Sequence, residues 1–304
     1  MAVPKKSKVK KSPKTSTANP VRIGIIGGSG LYHLPDFKLV GEKNLTTPFG
    51  KPSGPYHIYE SHGIQVAFLS RHGKGHTITP TELPARANVF GFKMLGVDKL
   101  LSISSVGSLK EEIAPEHLVV PDQIIDRTRG RLSSFFGEGL VGHVSFAEPF
   151  CTELSKMVYD VLKEHAPTTI HRGGTYICME GPAFSTRAES NLYRSWGASV
   201  IGMTALPEAK LAREAEMSYA MIAMSTDYDC WKVEEKPVTV AEVIGHMTTN
   251  TNHVKQALPD LIRRMATYTQ VQHRDAAAYA LITAKEKIPP ALKKKLSLLY
   301  GKYF

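Results

Sequence analysis

Cysteine is scarce in this chain of 304 residues, with only Cys151, Cys178 and Cys230 present. They stand far apart and form no CxxC pair, which argues against a disulfide framework or a structural zinc site and fits a reducing, intracellular compartment. Long apolar runs are missing too: no stretch approaches the roughly 18 residues that a membrane-spanning helix needs. Nor does an apolar segment follow the lysine-rich start, so that start does not read as a secretory signal. Acid is absent from residues 1–19, which hold six lysines, while residues 285–304 hold six lysines against Glu286 alone. These two ends carry +6 and +5 of a net charge of +10, which leaves about −1 for residues 20–284. A nucleic-acid enzyme would carry its basic surface on the folded body, and here the body is neutral.

With 42% apolar and 22% charged residues the chain falls in the globular range. Residues 1–19, rich in Lys, Ser, Pro and Thr, are expected to be a disordered basic tail. That tail is either a solvated end or a polyanion-binding or nuclear-address segment. From Val21 onward, short β-branched runs alternate with helical patterns. Strands are predicted at Val21–Ile26, Val66–Leu69, Leu100–Ser104, Leu118–Val120, Ser199–Gly202 and Ala220–Met224. Helices are predicted at Cys151–Glu164, Arg187–Trp196, Pro207–Ala215 and Val240–Met247. The fold class is α/β: a single domain over 20–284 with a mixed central sheet flanked by helices. Residues 285–304 form a basic C-terminal extension that could dock or stay mobile.

Two nucleotide signatures fail. From Gly28-Ser29-Gly30 the last glycine of GxGxxG would fall on His33, and no Walker GK[ST] follows. What remains at Gly27–Gly30 is a strand running into glycines, where backbone N–H groups and the Ser29 hydroxyl can approach an anion. Arg71-His72 follows a second apolar run, offering a guanidinium fork and a histidine donor. Ser104-Ser105 ends a third. Each alone reads equally well as a surface turn, but together the three suggest free phosphate as the ligand. Asp227 and Asp229 end the late apolar run; they read as a solvated turn, a metal pair, or a purine reader. In the last case one carboxylic acid donates to N7 and the other carboxylate accepts from an exocyclic amino group.

Nine co-linear blocks extend this pattern, among them GIIGGSG (24–30), TPFGKPS (47–53), SRHGKGHTI (70–78), EGPAFSTRAES (180–190), MTALPEAKLAREA (203–215) and TDYDCWK (226–232). From about Val21 to Ala257 they resemble the low-molecular-mass, trimeric branch of the purine nucleoside phosphorylase family, in its methylthioadenosine-cleaving members. The resemblance implies that family's fold and a phosphate-dependent release of adenine. It implies phosphate contacts at Ser29, Arg71, His72, Ser104, Ser105 and Thr204. Met203 would lie along the ribose, Phe184 and Ser185 at the base, Asp227 at N7 and Asp229 at the 6-amino group. The stripe of Val240, Val243, Ile244 and Met247 reads from its spacing as a core face, whereas by the resemblance Val240, Val243 and Ile244 would line the 5′ pocket, to which a neighbouring subunit adds His143. No cofactor or metal is expected, with inorganic phosphate as co-substrate. The partners expected are the nucleoside and two further copies of the chain; the location is cytoplasmic, or nuclear as well. Departures from the pattern are Ser29 for threonine, Ser104-Ser105-Val106 for Thr-Ala-Cys, Leu83-Pro84 for Asn-Tyr, and Ala183 for arginine. Two alternatives stand beside this reading: a phosphorylase for 6-oxopurines, and a non-catalytic polyanion-binding protein that uses the basic ends.

Overall fold

The computed structural model describes residues 21–31, 36–232, 240–269 and 271–304, apart from the side chains of residues 29 and 240–243. The first tail, residues 1–19, lies outside the described residues. Among those described, eleven strands form one mixed sheet. They are β1 (Ile23–Gly27), β2 (Lys38–Lys43), β3 (Tyr56–Ser61), β4 (Ile64–Ser70), β5 (Lys99–Ser108), β6 (Leu118–Val120), β7 (Gln123–Arg127), β8 (Ile170–Arg172), β9 (Thr175–Met179), β10 (Val200–Gly202) and β11 (Ser218–Asp227). The helices are α1 (Ala85–Met94), α2 (Thr152–His165), α3 (Arg187–Ser195), α4 (Ala205–Glu214), α5 (Val240–Thr267), α6 (Pro290–Lys295) and α7 (Ser297–Tyr300).

Alternation along the central strands sets two layers. On β1, Ile23 and Ile25 face one side and Ile26 the other; on β11, Ala220, Ile222 and Met224 oppose Met221 and Ala223. One face is covered by α2 and α5 through Leu154, Val158, Val161, Val254, Leu258 and Leu261. The other is covered by α1, α4 and the C-terminal helices through Val89, Phe92, Leu206, Leu292 and Leu299. Residues 285–304 are therefore docked, because the apolar face of a lysine-rich segment fits the same core. The mixed sheet flanked by helices matches the expected fold class.

The sequence outlines lack β2, β3, β7, β8, β9 and α1, and two predicted elements run well past their outlines. Strand β5 runs on to Ser108, and α5 extends to Thr267. Packing of Val254, Leu258, Leu261 and Met265 at helical spacing carries α5 through the weak helix formers Thr248–Asn252.

Candidate active site

Strand β5 changes partners along its length. Ile23–Ile26 of β1 pair with Lys99–Ser102, and β10 pairs with Gly107 and Ser108 in the opposite sense. Between those stretches, Ile103–Val106 keep β11 on one side and, among the described residues, have no paired strand on the other. A sheet that switches partner leaves a crevice at the switch. A cavity of about 940 Å³ opens there, lined by Gly28, Arg71, His72, Ser104, Ser105, Met203, Thr204, Phe184, Asp227, Asp229 and Ile244. Ser104 and Ser105 thus sit inside a strand, at the gap beside it, and not at a strand end.

Arg71 follows β4, and its backbone N–H donates to Gly27 across the sheet (3.0 Å). The residue is 1% exposed. Glu208 of α4 takes the fork, with Nε to Oε1 at 2.5 Å and Nη2 to Oε2 at 3.2 Å. Ser102 Oγ and the carbonyls of Ile26 and Ile103 accept further bonds. Of the five N–H donors of arginine, one on Nη1 has no partner among the described residues. Burial works against the charge, but Glu208 outweighs it and holds Arg71 above its ordinary range. The sequence predicts a fork turned onto the ligand. The structure instead gives the fork to Glu208, a residue the sequence did not single out, and leaves a single N–H.

Ser104 Oγ and Thr204 Oγ1 lie 2.9 Å apart across the gap, bringing two hydroxyls from β5 and the start of α4 together. A Cβ on Gly28 would meet nothing within 4 Å, so the turn leaves space at the cavity wall. The side chain of Ser29 lies outside the described residues. His72 places Nδ1 2.8 Å from the Ile78 carbonyl and stacks on His76. Burial pushes its imidazole down to about 4, with Arg71 and His76 adding to the effect and the Ile78 carbonyl opposing it.

At the other end, the aspartate pair closes β11. Asp227 Oδ2 accepts from Thr226 Oγ1 (2.7 Å) and Oδ1 from the Asp229 N–H (2.8 Å). The second bond makes a turn in which Asp229 adopts φ 51°, a left-handed conformation that aspartate tolerates. Burial raises the Asp229 carboxyl above its ordinary range, and the neighbouring Asp227 charge adds to this. Gly107 leaves room opposite: a Cβ there would stand 3.1 Å from Asp227 Oδ1, a tight approach. Among the described residues the aspartates gain no third metal ligand. A grouping of that kind lies elsewhere, at Glu164, His165 and Asp260, where Arg264 pairs with the acids.

Thr186 and Glu189 form a reciprocal capping box that starts α3 and fixes the chain after Phe184. Phe184 is 82% exposed at the cavity rim. Ser185 is buried behind it, its hydroxyl toward Met179 Sδ (3.8 Å), and it does not line the cavity. Met203 lines the wall, its carbonyl held by Arg131 Nη1 at 2.6 Å. On α5, Ile244 and Met247 face the cavity, followed by Thr248, Thr251 and Lys255. The side chains of Val240 and Val243 lie outside the described residues. His143 is exposed in a loop whose N–H donates to Ala280 (2.9 Å), away from the cavity of its own chain. Sequence reasoning missed Glu208, whose partner is 137 residues away. Its one usable signal was a lone acid on an otherwise apolar helix face.

Residues 22–263 match the family model described as the phosphorylase superfamily. The chain belongs to this superfamily. Within it the chain is 52% identical to the S-methyl-5′-thioadenosine phosphorylase of Synechocystis sp. over 295 residues, covering 96% of this chain and 90% of that one. The S-methyl-5′-thioadenosine phosphorylase of Emericella nidulans is 47% identical, with 94% and 84% covered. A methylthioadenosine phosphorylase from an Antarctic soil metagenomic library superposes with a TM-score of 0.88 at 42% identity, covering 92% of this chain and 99% of that one. The Schistosoma mansoni methylthioadenosine phosphorylase in complex with adenine superposes at 0.79 with 33% identity, covering 92% and 98%. These relatives are phosphorylases of the pentosyltransferase class, which supports an enzyme over the non-catalytic alternative. Among the described residues no helix is long and apolar enough to cross a membrane.

Proposed function

We propose that this chain cleaves 5′-methylthioadenosine with inorganic phosphate, releasing adenine and 5-methylthioribose 1-phosphate in methionine and purine salvage, with adenosine as a second substrate. The observation that carries the reading is one cavity in which anion donors at the strand switch face an aspartate pair. The relatives named above support the substrate, and the Schistosoma mansoni enzyme is seen with adenine and a point mutant of it with methylthioadenosine. Phosphate sits between Arg71, His72, Ser104, Ser105 and Thr204, with Ser29 completing the cradle. It approaches C1′ from the face opposite the base, and its charge stabilises the developing sugar cation while proximity lowers the entropic barrier. Asp227 and Asp229 read N7 and the 6-amino group, so adenine departs without accumulating full charge. Phe184 and Ser185 belong to the base side, Met203 to the ribose, and Val240, Val243 and Ile244 to the 5′ group. No cofactor or metal takes part.

The working unit is a homotrimer in which His143 reaches a neighbouring site. Support comes from its exposure away from its own cavity, beside the exposed side chains of Val141 (48%) and Ile282 (65%). A cytoplasmic location, extending to the nucleus, is supported by three free cysteines and the lysine-rich tail. The test is adenine or hypoxanthine release from methylthioadenosine, adenosine and inosine, with and without phosphate. Phosphate-dependent release favouring methylthioadenosine is expected. Preference for inosine would revive the 6-oxopurine reading, and phosphate-independent release would indicate a hydrolase.

A further inference from the structure

His72 lines the cavity beside Arg71, and its ring is oriented from two sides. Nδ1 lies 2.8 Å from the Ile78 carbonyl oxygen. A carbonyl oxygen can only accept, so Nδ1 carries the hydrogen and donates it. His76 stacks on the same ring, with centroids 4.2 Å apart. The other nitrogen, Nε2, has no hydrogen-bond partner among the described residues and is not sealed from solvent. Burial and the nearby Arg71 charge keep the imidazole neutral at neutral pH. The ring therefore presents a lone pair to the cavity, where the sequence reading has a donor.

We propose that His72 selects the oxyanion by the proton it brings: hydrogen phosphate is accepted through its P–O–H, and an isosteric anion without a proton is rejected. This rests on the placement of phosphate among Arg71, Ser104 and Thr204. Hydrogen phosphate and sulfate are both tetrahedral dianions, and only the first has an O–H to donate. The hydroxyls of Ser104 and Thr204 can rotate to suit either anion. Nε2 cannot, because Ile78 holds the tautomer. The phosphate O–H bonds to Nε2, and should the proton cross to nitrogen the pair still holds the one proton that phosphate supplied. Sulfate sets lone pair against lone pair and must draw a proton from water onto an imidazole that holds it weakly. An unsatisfied acceptor pair of this kind amounts to a tenfold loss or more in affinity, since about 1.4 kcal/mol is a factor of ten.

The test compares the inhibition constant of sulfate with the KM of phosphate at mildly alkaline pH and constant ionic strength. In the wild-type enzyme sulfate is expected to bind at least about tenfold more weakly than phosphate. Arsenate, which keeps a proton, is expected to replace phosphate in adenine release. In His72→Gln the side-chain amide can turn an N–H to the anion. The phosphate KM rises there and the sulfate-to-phosphate ratio falls toward one; His72→Asn is measured beside it, with thermal unfolding as the check on folding. Sulfate binding to wild-type enzyme as tightly as phosphate overturns the proposal without any variant. A ratio that survives in folded His72 variants overturns it too. Adenine release that needs no phosphate would remove the phosphate site itself, which is a different failure with a different signature.

Discussion

The two walls of the cavity are built on opposite plans. The wall formed by the strand ends is buried, and most of its polar groups are already engaged. Arg71 is 1% exposed and Glu208 2%, and the oxygens of Asp227 already accept from Thr226 and Asp229. The α5 wall is open: Ile244 is 57% exposed and Met247 40%. Groups that stabilise charge need fixed orientation and low dielectric, which the sheet switch supplies. Groups that only exclude water from a 5′ substituent need neither, and a helix face is sufficient. The difference separates chemistry from selectivity, and substitutions on the two walls should fail in different ways.

The largest effect is expected from Asp227→Asn. The amide can keep the bond from the Asp229 N–H but cannot accept from Thr226 while also supplying an acidic proton. Turnover of methylthioadenosine should fall by roughly 100- to 10,000-fold, the usual contribution of a general acid. Inosine should suffer less, because an amide can serve both N7 and O6. Near-wild-type kcat on methylthioadenosine would take the acid role away from Asp227.

Glu208→Ala tests whether the strand-end wall is as dry as its geometry implies. It leaves the Arg71 guanidinium buried without its carboxylate, a situation that typically costs about 3–5 kcal/mol. Urea unfolding should show that loss. A loss below about 1 kcal/mol would mean that water reaches Arg71, and the contrast between the walls would weaken.

Glu214, at the other end of α4, is the counterexample that sharpens this comparison. It is buried with hydrogen bonds from Ser134 Oγ (2.9 Å) and the Phe135 N–H (2.6 Å), and burial raises it to about 7. Its folded pKa lies above the ordinary 4.5, so the folded state binds the proton more tightly. Stability from this group is therefore present below about 4.5 and lost as pH rises through about 7. Glu214→Gln should flatten that slope and stabilise the protein by roughly 1–3 kcal/mol at alkaline pH. Melting temperatures of the two proteins at acid and alkaline pH check the sign. A variant that loses stability at alkaline pH would show that the charged carboxylate is the favoured form.

Much of the strand-end wall was legible in the sequence because it is local. Apolar β-branched runs end in Gly27–Gly30, Arg71-His72 and Asp227–Asp229, and β6 falls on its predicted residues, Leu118–Val120. What escaped depends on partners far away. Ser104-Ser105-Val106-Gly107-Ser108 has the composition of a turn, yet it is strand because β10 and β11, some hundred residues later, pair with it. Glu208 reads as an ordinary helix acid until the fold brings Arg71 to it. The roles of Ile244 and Met247 were ambiguous for the opposite reason: an apolar stripe looks the same whether it faces a core or a ligand.

Ile244→Ala resolves that ambiguity and carries the smallest expected effect. At 57% exposure the side chain contributes little to the core, so thermal stability should barely change. Removing its methyl groups from the cavity wall lowers the burial available to a methylthio group but not to a 5′-hydroxyl. Discrimination by apolar contact of this kind is modest, about 10- to 200-fold for a whole pocket, so one side chain should account for a few-fold to about tenfold. The ratio of kcat/KM for methylthioadenosine over adenosine should therefore drop by that amount, with adenosine itself within about twofold of wild type. Equal losses on both substrates would mean that Ile244 shapes the cavity for the ribose or the anion. In that case the helix wall would share the work of the strand-end wall.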